Sequence, residues 1–113
     1  MIFNSSNLIR INGPSVYTSS GRYLIFNKKA SELLGLNETT KISFKIEDDE
    51  ILLYHDNKEG VIPEETQRGN YRIHSKKMIS FLQLKLGDNK PTFAVVQLQK
   101  DTFELKLKPK PEL

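Results

Sequence analysis

Gly21–Leu36 reads G-R-Y-L-I-F-N-K-K-A-S-E-L-L-G-L, and Gly69–Leu84 reads G-N-Y-R-I-H-S-K-K-M-I-S-F-L-Q-L. Laid over each other at an offset of 48 residues, the stretches agree at seven of sixteen positions: Gly21/Gly69, Tyr23/Tyr71, Ile25/Ile73, Lys28/Lys76, Lys29/Lys77, Leu34/Leu82 and Leu36/Leu84. Unrelated segments would share roughly one. Internal similarity of this kind points to a duplicated unit, and that unit organises the rest of the chain.

Each copy has a readable shape. Gly21 follows Ser19-Ser20 and suits a turn, because glycine takes positive φ without steric cost. Tyr23 and Ile25 alternate with Arg22, Leu24 and Phe26, the period-two pattern of a strand. Asn27 and Ser75 are N-cap residues, and each opens a short helix. Ala30, Leu33 and Leu34 line one face of the first helix; Met78, Phe81 and Leu82 are their counterparts. Gly35 closes the first helix, whereas Gln83 stands at that place in the second, which is expected to run on to Gly87. A hairpin follows each helix. The first runs from Ile42 through the turn Glu47-Asp48-Asp49-Glu50 to Tyr54, the second from Phe93 through Gln99-Lys100-Asp101 to Leu107.

These elements predict one domain over residues 1–113, mainly β with two short helices, as a pseudo-two-fold barrel of a duplicated strand–helix–hairpin unit. Repeat one covers about 15–54, a linker about 55–68, repeat two about 69–107, and 108–113 forms a frayed tail. Residues 1–12, with Ile2, Phe3, Leu8, Ile9 and Ile11, are expected to add a strand.

Composition narrows the function. Apolar residues make up 37% and charged residues 27% of the 113, a polar balance that still carries a patterned core. No apolar run approaches the roughly 18 residues needed to span a bilayer, so no membrane role is expected. The start lacks the basic and apolar regions of a secretory signal, which implies a cytoplasmic location. Without cysteine there is no disulfide scaffold and no thiolate metal site. A zinc site at His55 and His74, the only histidines, would need carboxylates to complete it, and nothing in the sequence places them together; neither histidine has a serine or cysteine nucleophile arrangement around it. No phosphate-cradling glycine loop or catalytic carboxylate pair occurs either. The reading is therefore a protein with no enzyme activity, cofactor or metal.

The net charge of +3 hides a strong pattern. Residues 21–36 carry +2, residues 37–68 carry −5, and residues 69–87 carry +4 with no acid at all. Arg22, Lys28, Lys29, Arg72, Lys76 and Lys77 occupy the two basic stretches. Related by a dyad on one face, such cations would suit the pseudo-symmetry of duplex DNA. Lysines in a first helical turn also oppose the helix dipole, at a cost of a few tenths of a kcal/mol. Their recurrence invites a reason, although a shared origin of the copies supplies one too. Tyr23 and Tyr71 read as packing residues of the strands, with base stacking as their other use. Glu47-Asp48-Asp49-Glu50 lacks the spacing and glycine of a calcium loop and reads as a solvated turn.

The stretch Ser20-Gly21-Arg22-Tyr23-Leu24-Ile25, with Leu33-Leu34-Gly35-Leu36 and the hairpin to Leu53, resembles the AbrB/MazE-type swapped-hairpin DNA-binding domain. The copy from Gly69 to Leu107 matches less closely. The resemblance implies a barrel of interleaved hairpins, here built within one chain as in MraZ-type regulators that carry two copies. It assigns Arg22 and the flanking strand to DNA contact, and it implies a transcriptional regulator. Two departures stand out. Asn27 and Ser75 replace the family's helix-opening proline, and Asn70 stands where its arginine would, with Arg72 two residues on. The alternative is a structural or protein-interaction module that uses the barrel for subunit contacts, and a homo-oligomer is compatible with either.

Overall fold

Two tight turns with positive φ and two glycine-capped helices punctuate the chain much as the sequence requires. The computed structural model describes residues 13–67 and 69–108. The expected strand over residues 1–12 and the tail beyond residue 108 lie outside the described residues. Lys108 is tied down, its N–H donating to the Thr92 carbonyl at 2.8 Å.

Strands β1 (Ser15–Ser19) and β2 (Tyr23–Phe26) are joined by Ser20 and Gly21 at φ of 57° and 63°. Positive φ at both centres is the mirror-image turn whose twist matches a hairpin. Helix α1 (Lys28–Leu34) follows, capped by the Asn27 side chain on the Ala30 N–H and closed by Gly35 at φ 67°. The N–H of Leu36 returns to the Ser31 carbonyl at 2.9 Å, the six-to-one bond of a Schellman end. The hairpin β3 (Ile42–Glu47) and β4 (Glu50–His55) comes next. The same succession then recurs: β5 (Glu64–Glu65), β6 (Tyr71–His74), α2 (Lys76–Leu86), β7 (Thr92–Gln99) and β8 (Thr102–Leu107). Ser75 caps α2, which runs to Gly87 as expected.

All pairings are antiparallel, and the strands form one sheet in the order β3-β4-β8-β7-β1-β2-β6-β5. The sheet curls until its two edges approach each other. Ile42, on β3, exchanges both backbone hydrogen bonds with Val61, at 2.9 and 2.8 Å, just before β5 on the opposite edge. The fold is therefore mainly β and barrel-like, with both helices packed onto its core. Val16, Leu24, Phe26, Phe93 and Phe103 fill the interior with Ala30 and Leu34 from α1 and Leu82 from α2. No helix among the described residues is long and apolar enough to cross a membrane.

The offset of 48 holds in the helices and slips in the strands. Ser31 and Ile79 are both buried, as are Leu34 and Leu82. In β2, however, Leu24 and Phe26 point into the core, while their counterparts Arg72 and His74 in β6 point out. Ile73 and Tyr71 face the core instead. The pairing explains the inversion: Leu24 lies directly opposite Ile73 and Phe26 opposite Tyr71, and directly opposed residues share a face. With a side-chain period of two, one residue of slip exchanges the faces completely.

Candidate nucleic-acid interface

The paired strands β2 and β6 lie side by side within the sheet and carry a distinct outward face. Tyr23 lies opposite His74, and Ile25 lies between Arg72 on one side and Tyr17 of β1 on the other. Arg72 organises this face. Its guanidinium sits 4.4 Å from the Tyr23 ring centroid, a cation–π distance, and Nη2 donates to Glu64 Oε1 at 3.1 Å. The His74 ring meets Tyr23 edge-on, with centroids 5.2 Å apart. Nε of Arg72 is buried without a partner among the described residues. Arg72 is thus a held cation, fixed by an aromatic ring and a carboxylate.

The other five cations flank this face at its two ends. Arg22 immediately precedes β2, and its carbonyl accepts the N–H of Ser75 at 2.8 Å. That bond sets Arg22 of the first half beside the start of α2, whose first residues are Lys76 and Lys77. At the other end Lys28 and Lys29 open α1. The stem of Lys28 lies against Gly69, so closely that a Cβ there would sit 3.2 Å from Lys28 Cγ. The two halves thus meet at both ends of the strand pair, through the Arg22 carbonyl at one and the Lys28 stem at the other. Arg22, Lys28, Lys29, Lys76 and Lys77 are all exposed, and their side chains make no hydrogen bond or ion pair among the described residues. The two ends are separated by at least the length of β2, roughly 13 Å at the usual rise per residue.

The six candidates do not form one cluster. Lys77 lines a groove beside β3 together with Phe44 and Ile46. Tyr71 packs against the core, whereas Tyr23 lies on the outward face with Tyr17 and His74. His74 and Tyr17 were not singled out by sequence reasoning. The signal for His74 was present, since Arg72 and His74 alternate with the apolar Tyr71 and Ile73. The signal for the first half was absent, because Tyr-Leu-Ile-Phe is apolar at every position.

The acidic turn Glu47-Asp48-Asp49-Glu50 is exposed throughout, and no cluster of metal-ligating side chains occurs among the described residues. Lys45 pairs with Glu47 at 2.8 Å, and that contact raises the Lys45 pKa. His55 joins two elements, with Nε2 at 2.7 Å from the Leu34 carbonyl and Nδ1 at 3.0 Å from Asp101 Oδ1. Asp56 accepts from the N–H of Glu59 and the hydroxyl of Ser43, then from the N–H of Lys58, and these donors hold its carboxyl below the ordinary 3.8. Both of these contact sets secure the framework and lie away from the outward face.

The architecture defines the class as a mainly β, barrel-like fold with two end-packed helices. No protein-family model, curated protein or solved structure matches the chain.

Proposed function

We propose that this protein is a small, non-enzymatic duplex-DNA-binding protein, a transcriptional regulator built from two copies of one AbrB/MazE-like swapped-hairpin unit. The observation that carries the proposal is that basic residues of both halves stand at the two ends of the paired strands β2 and β6. Arg22 is bonded to the start of the helix that begins Lys76-Lys77, and Lys28 crosses the glycine that precedes β6. Five exposed cations, unpaired among the described residues, can each displace a counterion from DNA, the main source of affinity for phosphate backbones. Their two groups are spaced on the scale of a major groove about 12 Å wide. Tyr23, with the Arg72 guanidinium over its ring and the His74 ring edge-on to it, lies between them.

The duplication draws support from the repeated order of elements and from the matched burial of the helices. It also draws support from the adjacency of β2 with β6 and of β4 with β8, the corresponding strands of the two halves. The slip of one residue in the strands fits an old duplication whose copies have since diverged in packing.

The experiment is a fluorescence-anisotropy titration of mixed duplexes at low and moderate salt. The reading predicts an affinity that falls steeply with salt, with a log–log slope of about −4 to −5 for five phosphate contacts. K28A/K29A/K76A/K77A should flatten that slope to about −1. Absence of binding at low salt would overturn the reading. A protein-interaction module is favoured by a different observation, the exposure of Phe81 at 51% and Leu84 at 85% on α2.

A further inference from the structure

The edge of β3 lies beside an apolar groove of about 370 Å³, lined by Phe44 and Ile46 of β3 and by Ser75, Lys77, Met78 and Phe81 at the start of α2. The backbone of this edge is open. Ile42 directs its N–H and C=O away from β4 to Val61, so the alternation of a strand directs those of Phe44 and Ile46 the same way. Neither finds a backbone partner on that side among the described residues. Phe44 and Ile46 turn their side chains toward the core and groove, whereas Lys45 between them faces solvent.

We propose that this groove takes an extended segment of a partner protein, added as a strand along β3, with the core pattern apolar–acidic–apolar. The register dictates that pattern. Residues opposite Phe44 and Ile46 would exchange main-chain hydrogen bonds with them and send their side chains into the groove against Met78 and Phe81. The residue between them would lie opposite Lys45 on the solvent side, where a carboxylate would share the ammonium with Glu47, its partner at 2.8 Å, and a cation would be the unfavourable neighbour. Lys76, Lys77 and Lys85 supply the remaining charge of α2, which has no acidic residue.

A second copy of this chain fits less well. The antiparallel pairing of two β3 strands that satisfies Phe44 and Ile46 sets Lys45 directly against Lys45 of the other copy. Lysine on an edge strand ordinarily guards against such self-addition. Here it blocks the chain's own edge and admits an acidic one. Lys77 lines the groove and is also a proposed DNA contact, whereas Lys45, Phe44 and Ile46 lie outside those contacts, so variants at these three positions test the groove separately from DNA binding.

The test uses the whole chain and two fluorescein-labelled, acetylated peptides, one alternating valine with glutamate and one alternating valine with lysine. The glutamate peptide should bind at least about tenfold more tightly than the lysine peptide, and Lys45→Glu should reverse that order. Phe81→Ala, at a half-exposed position where the fold is expected to tolerate it, should weaken the glutamate peptide about fivefold or more. Circular dichroism of each variant checks that the fold is retained. Equal binding of the two peptides, no effect of Lys45→Glu, or no saturable binding would each overturn the proposal. So would loss of peptide binding as the protein self-associates in sedimentation runs, which would assign the groove to a second copy.

Discussion

At the α1 end of the molecule the connection from strand to helix is tightly held. Asn27 Oδ1 accepts from the N–H groups of Ala30 at 2.8 Å and Ser15 at 3.1 Å, while Nδ2 donates to the Gly13 carbonyl at 3.0 Å. One side chain therefore joins the helix to β1 and to the chain before it. At the α2 end Ser75 makes a single such bond, to the Met78 N–H at 3.2 Å. Phe26, just before Asn27, is fully buried, whereas His74, just before Ser75, is exposed. Helix α1 leaves no large apolar side chain in solvent, and α2 leaves Phe81 and Leu84 there. The comparison teaches that similar letters were put to different use. The first half secures the barrel, and the second half spends the same pattern on surface.

The largest expected effect tests the inverted strand faces. Phe26→Ala should cost about 3–5 kcal/mol in denaturant unfolding, the range for a buried phenylalanine. His74→Ala, at the matching place in the second copy, should stay within about 0.5 kcal/mol. Similar costs at both positions would erase the distinction between the halves. The next effect concerns the caps. Asn27→Ala should lose about 2 kcal/mol, and Ser75→Ala about 0.5–1 kcal/mol, because cap losses scale with the donors left unpaired. A reversed ranking would show that the second half is the better anchored one.

The smallest effect lies at the seam beside β3. Asp56 has a folded pKa below its ordinary value of 3.8. Its contribution is therefore complete above that value and is lost as the pH falls through the lower folded value. Acid titration of stability should show a limb below about pH 4 that is reduced in Asp56→Asn. An unchanged limb in that variant would remove Asp56 from the account of the seam.

Much of the architecture was legible because its punctuation is chemical. Gly21, Gly35 and Gly87 mark turns and helix ends through positive φ, and Asn27 and Ser75 mark helix starts through side-chain oxygens. Both hairpins follow from alternation around polar turns. The strand faces were not legible in the first half. Tyr23, Leu24, Ile25 and Phe26 can bury either pair, and only the pairing of β2 with β1 and β6 chooses Leu24 and Phe26. Sequence identity of Tyr23 with Tyr71 therefore hid an exchange of faces. Of the candidate site, the lysine pairs at the helix starts were visible, because a cation in a first turn is out of place electrostatically. The captivity of Arg72 was invisible, since Glu64 and Tyr23 reach it only through lateral strand pairing.

Under the proposed function, the outward face of β2 and β6, with its flanking cations, is where DNA is held. Amide and side-chain NMR shifts of the intact chain, followed during titration with a 20-base-pair duplex at low salt, test it most directly. The account predicts that the perturbed residues gather at Arg22, Tyr23, Lys28, Lys29, His74 and Lys76, and that added salt restores their free positions. Perturbations gathered instead on Phe44, Phe81 and Leu84, or none at all, would contradict it.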